Sequence, residues 1–506
     1  MRFVTPLTCF SCLLALAAVA VSSPDQPADA PKSDAAAEKP IKPRVSEASI
    51  EIAGQKIVYR VTTGKLQIEQ DDGKPRASIF HVSYERIGVE EALKRPVMFA
   101  FNGGPGSSAV WLHLGVLGPK RVDMPGDGTQ APRPPARVID NPLSILDVCD
   151  LVFIDPVSTG YSRAEKDSKP GDFHGLEEDV ESVGDFIRRW VTEHDRWASP
   201  KFLLGESYGG IRAAGLASQL QSRNGMMLNG VVLLSSLLDF ATMQGDLGCA
   251  VYLPSFTGVA HFHKQITGDR DALVKESAAF AFGDYSAALL KGNALDEKSR
   301  TAIAAQLARF TGLDAAVWLA HDLRIDPTFF RAELLRKQGK VIGRFDARVA
   351  WDATDASAIY PDCDPSYEIA YGAFSTAMLD YLGRDLKYKE DRPYEVMSRS
   401  IGPWRWNANN QIVSVSGRLA GAMRDNPHLR VLVMAGYTDL ATPPEGVAHS
   451  VRHLDSLPAS ALKNIETTHY DGGHMFYLNP PDLTKIRADL VRFIDASCPD
   501  RHAEQP

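Results

Sequence analysis

The chain has 506 residues, 44% of them hydrophobic and 23% charged, with a formal net charge of −8. That length and apolar content suit one large α/β domain with an insertion better than a string of small modules. The negative balance and the lack of a long Lys/Arg block argue against nucleic acid or an anionic membrane surface as partner.

At the N-terminus, Arg2 precedes the apolar stretch from Cys12 to Val21, which ends in small residues including Ala18-x-Ala20 and Ser22-Ser23. This pattern predicts a cleaved signal peptide over residues 1–22, too short for a comfortable transmembrane helix. The mature protein is then expected to be secreted or periplasmic, with no stable membrane insertion. The absence of any Asn-x-Ser/Thr site favours a bacterial periplasmic or secreted protein. Cys9 and Cys12 leave with the signal, so Cys149, Cys249, Cys363 and Cys498 enter an oxidising compartment. Spacing leaves their connectivity open, with Cys249–Cys363 the favoured pair. Residues 23–45, rich in Pro, Ala, Lys and Asp without apolar periodicity, read as a disordered linker.

Order is expected from Ser46, with hairpin strands at Ser49–Ile52 and Lys56–Val61 and another strand at Ala77–Tyr84. Short apolar runs follow at Val97–Phe101, Leu151–Ile154, Phe202–Leu204, Val231–Leu234 and Val431–Met434. They alternate with helical patterns, as a mostly parallel sheet requires. Leu176, Val180, Val183, Ile187 and Val191 mark one covering helix; others are expected from Ser207 to Gln219 and from Leu483 to Ile494. The rhythm breaks between Phe240 and Ala408, where patterns such as Phe374-Met378-Leu382 predict a helical cap. The expected organisation is therefore a core over 46–240, a cap over 241–408 and the rest of the core over 409–498. His261-x-His263 and the pair His449 and His453 lack an evident third ligand, so no metal site is predicted.

Gly205-Glu206-Ser207-Tyr208-Gly209 follows the run Phe202–Leu204 directly. G-x-S-x-G at a strand end is the sharp strand-to-helix turn that exposes a serine nucleophile above an α/β-hydrolase sheet. Such a serine needs a base, an orienting acid and an oxyanion hole, with the acid preceding the histidine in the chain. Val431–Met434 empties into Ala435-Gly436-Tyr437-Thr438-Asp439, making Asp439 the expected acid. His474 sits in the Gly-flanked loop Asp471-Gly472-Gly473-His474 and is the expected base, ahead of His469 near the strand; Asp471 is the weaker choice of acid. Phe101-Asn102-Gly103-Gly104-Pro105-Gly106 follows another strand, so the amides of Gly104 and Tyr208 are the expected oxyanion donors.

Taken in order, these motifs resemble the serine carboxypeptidases of the carboxypeptidase C and cathepsin A type. Asn102–Ser108 is similar to N-G-G-P-G-x-S, and Asp155–Ser162 to D-x-P-x-G-x-G-[FY]-S with one residue fewer. Gly205–Gly210, Gly436-x-x-Asp439 and Gly473-His474-Met475 resemble the nucleophile, acid and base motifs. The resemblance implies that Asn102, the amide of Gly103 and Glu206 hold the substrate's C-terminal carboxylate, and that no cofactor is needed. There are departures. Ser107 stands where a bridging cysteine is common, Val116 stands where E-x-G-P has its glutamate, and Met475-Phe476-Tyr477 replaces Met-Val-Pro. The implied activity is hydrolysis of C-terminal peptide bonds on peptide or protein C-termini, favoured at mildly acidic pH because Glu206 must be protonated beside a carboxylate. The alternatives are an esterase, amidase or acyltransferase using the same triad, and a catalytically silent binding protein on the same fold.

Overall fold

The computed structural model describes residues 42–499, and within them ten strands share one mixed sheet. The first three are β1 (Arg44–Ile52), β2 (Gln55–Glu69) and β3 (Pro75–Arg86). Next come β4 (Val97–Phe101), β5 (Asp150–Ile154) and β6 (Lys201–Glu206). The last are β7 (Gly230–Leu234), β8 (Arg430–Gly436) and β9 (Ile465–Tyr470). Their spatial order is β1-β2-β3-β5-β4-β6-β7-β8-β9, with the short strand Arg163–Ala164 pairing beside β3. The pairs β1–β2, β2–β3 and β3–β5 are antiparallel. All pairings from β5 across to β9 are parallel. The expected signal peptide lies outside the described residues, as does most of the expected linker; β1 begins at Arg44, within the linker's expected span.

Strands covered on both faces must be apolar at consecutive positions, and β4, Val97-Met98-Phe99-Ala100-Phe101, is buried throughout. Its side chains alternate between two cores. Met98 and Ala100 join Trp111, Phe153 and Tyr477 on one face. Val97, Phe99 and Phe101 join Ile187, Trp190 and Ile211 on the other. The same alternation separates Val231 and Leu233 from Val232 and Leu234. A slip of one residue would exchange these two sets, so the packing fixes the register that places each strand end.

On the second face lie α1 (Leu176–Glu193) and α2 (Tyr208–Asn224). In α1 the apolar stripe Val180, Val183 and Ile187 faces the sheet, and Glu177, Glu178 and Asp179 complement the positive helix start. Between β7 and β8 the chain leaves the sheet. There α3 (Gly245–Phe262), α4 (Arg270–Phe280) and α5 (Glu297–Thr311) enclose a third apolar cluster that includes Phe256, Leu307, Phe310 and Phe330. By contrast, α6 (Pro365–Arg384) sends Phe374, Met378 and Leu382 into the sheet's first core. The final helix, α7 (Pro480–Ser497), covers that same face through Leu483, Ile486, Leu490 and Phe493.

The expected Cys249–Cys363 bridge is not formed: both thiols are free. Cys249 packs against the cluster enclosed by α3 to α5, and Cys363 lies just before α6, where its carbonyl accepts from Arg331 Nη2 at 2.9 Å. No helix among the described residues is long and apolar enough to cross a membrane.

Candidate active site

At the end of β6 the chain turns sharply into α2, and Ser207 takes φ +62° and ψ −126° at the turn. A non-glycine residue in this region is strained and is held there by its surroundings. The Ser207 amide donates to the Leu234 carbonyl at 3.0 Å, and the Gly210 amide donates back to the Ser207 carbonyl at 2.9 Å. Glycine at 205 is a steric requirement, since a Cβ there would stand 2.0 Å from the Gly209 carbonyl oxygen. The turn thus holds Ser207 at the head of α2, whose first amides lack intrahelical partners.

His474 lies in the loop after β9, and Asp439 follows β8. His474 Nδ1 and Asp439 Oδ2 are 2.8 Å apart, and both residues are buried. Asp439 Oδ1 also accepts from the amides of Ala441 at 2.7 Å and Thr442 at 2.9 Å. A proton on Nδ1 facing that carboxylate leaves Nε2 as the basic nitrogen. The Thr442 hydroxyl stands 2.9 Å from Asp439 Oδ2 and 3.0 Å from His474 Nδ1, and it donates to the Ser235 carbonyl at 2.7 Å or to the carboxylate. The loop backbone is tied as well: the His474 amide donates to the Phe345 carbonyl, and the Ser235 hydroxyl donates to the His474 carbonyl at 2.7 Å. Burial works against the imidazolium, but the Asp439 charge and hydrogen bond, together with Glu206, outweigh it and raise the pKa of His474 above its ordinary value. Asp471, the weaker candidate, is mostly exposed and pairs with Arg270 at 2.5 Å. His469 stacks on Tyr437. His261 and His263 each bond a backbone carbonyl.

One residue before the serine, Glu206 is buried against the loop that follows β4. The Asn102 amide Nδ2 donates to Glu206 Oε2 at 2.8 Å. The Tyr477 hydroxyl donates to the same oxygen at 2.9 Å and lies 3.2 Å from Oε1. Burial pushes Glu206 up to about 7; His474, Tyr477 and Asn102 draw it down, and Asp439 adds to the rise. Gly103 brings the loop hard against the serine turn, where a Cβ would stand 2.4 Å from the Tyr208 nitrogen and 2.7 Å from the Glu206 carbonyl oxygen. Gly104, the next residue, has φ +104°.

Behind this junction lies a buried ion pair. Arg212 on α2 donates through Nε and Nη2 to the two carboxylate oxygens of Asp179 on α1, at 2.8 and 3.1 Å. Its Nη1 donates to the Asn102 carbonyl at 2.5 Å, and the Tyr208 hydroxyl donates to Asp179 at 3.0 Å. One cation therefore locks the loop after β4 to the helix that starts at the serine. Sequence motifs single out neither Arg212 nor Tyr477 for this site. Arg212 carries a legible signal, a lone charge in Ile211-Arg212-Ala213-Ala214, whereas Tyr477 carries none beyond its departure from Met-Val-Pro.

A strained serine at a helix start and an imidazole oriented by a buried carboxylate are components that acyl transfer through a nucleophile uses. The family model described as serine carboxypeptidase matches residues 55–478. Serine carboxypeptidase-like 20 of Arabidopsis thaliana is 31% identical over 171 residues, 32% of this chain and 32% of that protein, so the aligned part spans about a third of that relative's length. Among solved structures, Kex1(delta)p, a prohormone-processing carboxypeptidase from Saccharomyces cerevisiae, superposes with a TM-score of 0.52 at 16% identity. The match covers 87% of this chain and 92% of that one, a likeness of fold. Matched from the start of β2 to the turn that carries Tyr477, this α/β-hydrolase chain belongs to the serine carboxypeptidase family.

Proposed function

We propose that the chain is a serine-type carboxypeptidase that releases the C-terminal residue of peptides through an acyl-enzyme on Ser207. The observation that carries this reading is the buried Asn102–Glu206 contact, one residue from the serine and electrostatically coupled to His474. A carboxyl that is protonated at mildly acidic pH beside an amide donor is suited to grip a substrate carboxylate. It positions the last peptide bond, and no other, over the serine.

In the proposed cycle, Ser207 Oγ attacks the scissile carbonyl while His474 Nε2 takes its proton. Asp439 holds the Nδ1–H and stabilises the imidazolium. The oxyanion accepts from the amides of Gly104 and Tyr208. The C–N bond then breaks, and His474 returns its proton to the departing amine. A water deprotonated by His474 hydrolyses the ester, releasing the shortened peptide and Ser207. Asn102, the Gly103 amide and protonated Glu206 hold the leaving residue's carboxylate. Protonation of His474 limits the rate on the acid side and ionisation of Glu206 weakens binding on the alkaline side. Because the pKa of His474 is itself raised, activity at mildly acidic pH requires the imidazole to lose part of that rise in the complex, as it does when Glu206 takes up its proton and its charge no longer acts on His474. From the sequence of residues 1–22 we also propose export, testable by N-terminal sequencing of the mature protein.

The test is mass spectrometry of a peptide during digestion. A ladder of C-terminal truncations, lost when the peptide is C-terminally amidated and absent with Ser207→Ala, supports the reading. Internal cleavage, or a ladder that persists with Ser207→Ala, overturns it.

A further inference from the structure

Tyr477 occupies the turn Phe476–Leu478, three residues after His474, and is buried. Its ring lies on Gly115, where a Cβ would stand 2.5 Å from the ring carbon Cε2. Only glycine leaves room for the phenol in this position. The neighbouring Val116 is buried and apolar, so that stretch presents no acid to Glu206. The groups acting on Glu206 are Asn102 from the loop after β4, His474 and Tyr477 from the chain after β9, and Asp439 from the end of β8. Of these, Asn102 and Tyr477 bond its carboxyl directly, and both make their shorter contact to Oε2, at 2.8 and 2.9 Å. Oε1 has one longer contact, at 3.2 Å. Two donors on Oε2 leave Oε1 as the oxygen that carries a proton.

We propose that Tyr477 is a positioning residue, seated on Gly115, whose hydroxyl engages Glu206 Oε2 and so directs the proton of Glu206 to Oε1, where a substrate carboxylate accepts it. The donation to substrate rests on the carboxypeptidase reading above; the hold of Tyr477 on Glu206 does not. A phenol differs from a second carboxyl in this place. Burial and the Glu206 charge raise its pKa well above 10, so it stays a donor throughout the working range. A donor favours the ionised form of its partner, so Tyr477 lowers the pH at which Glu206 gives up its proton. The grip on free acids is thereby released nearer neutrality than burial alone would set.

The experiment uses the full mature chain with 13C-labelled glutamate carboxyls, the Glu206 signal being assigned by its loss in Glu206→Gln. Tyr477→Phe, which keeps the ring and removes the hydroxyl, should move the Glu206 titration up by about one pH unit. Gly115→Ala, which displaces the ring and keeps the hydroxyl, should move it in the same direction. In parallel, kcat/KM for a blocked dipeptide is divided by that for its C-terminal amide across pH. The midpoint at which this ratio falls should follow the carboxyl titration in both variants. An unmoved Glu206 titration in Tyr477→Phe overturns the inference. A moved titration in a protein without preference for free acids supports the hold of Tyr477 on Glu206 and overturns the carboxypeptidase reading instead.

Discussion

Glu206→Gln isolates the electrostatic cost of the proposed carboxylate site. Burial moves this carboxyl from its ordinary 4.5 up to about 7. In the folded protein the group keeps its proton between those values, whereas in the unfolded chain it has already ionised. Stability linked to Glu206 is therefore complete below about pH 4.5, declines as pH rises, and is lost by about pH 7. The difference corresponds to about 3 kcal/mol, at about 1.4 kcal/mol per pH unit. Glutamine has no such dependence, and its amide oxygen can accept the two donors that meet at Oε2, Asn102 and Tyr477. Urea unfolding of both proteins at about pH 5 and about pH 8 should show the variant gaining on the wild type by roughly 2–3 kcal/mol between the two conditions. Any constant offset from the substitution cancels in that comparison. A difference that stays flat within about 0.5 kcal/mol would show that Glu206 ionises at an ordinary value, and a protonated carboxylate grip would be ruled out with it.

Three further substitutions probe the supports. Asp439→Asn should lower kcat about 10⁴-fold in an ester or peptide assay, by disturbing the tautomer and orientation of His474; a smaller loss than that from Asp471→Asn would reassign the acid. Arg212→Met should cost about 3–5 kcal/mol in urea unfolding because it strands the buried Asp179. Adding Asp179→Leu should recover most of that stability without restoring turnover, since the Asn102 carbonyl still lacks its donor. Gly103→Ala places a Cβ 2.4 Å from the Tyr208 nitrogen and should lower kcat/KM about 10²-fold with circular dichroism unchanged.

The strands from β4 to β8 are legible in sequence because a strand covered on both faces is apolar at every position, and solvated loops do not sustain such runs between turns. The length of β2 is not legible in the same way, since its half-exposed stretch mixes polar and apolar residues as loops do. Periodicity marks α6 as helical but does not tell which core its Phe374, Met378 and Leu382 join. At the site, Ser207, Asp439 and His474 stand out because each follows a strand in a glycine-containing turn, a pattern local to a few residues. The contacts that tune them are not local. Tyr477 meets Glu206 because Gly115, far away in sequence, leaves space for its ring, and Arg212 meets Asp179 because two helices lie side by side. The same holds for Cys249 and Cys363, whose spacing in the sequence does not tell whether the fold brings their sulfurs together, and the fold leaves them unbridged.

Recognition of a free C-terminal carboxylate beside a serine nucleophile is what distinguishes a carboxypeptidase from the other hydrolases this triad could serve. It is tested by comparing kcat/KM of the mature protein on N-blocked dipeptides with matched C-terminal amides and esters, from about pH 4 to 8, with Ser207→Ala as control. A preference for free acids that fades as pH rises toward 7, and activity that vanishes with Ser207→Ala, is the expected result. Equal or better turnover of amides and esters at every pH would contradict it and identify an esterase or acyltransferase built from the same residues.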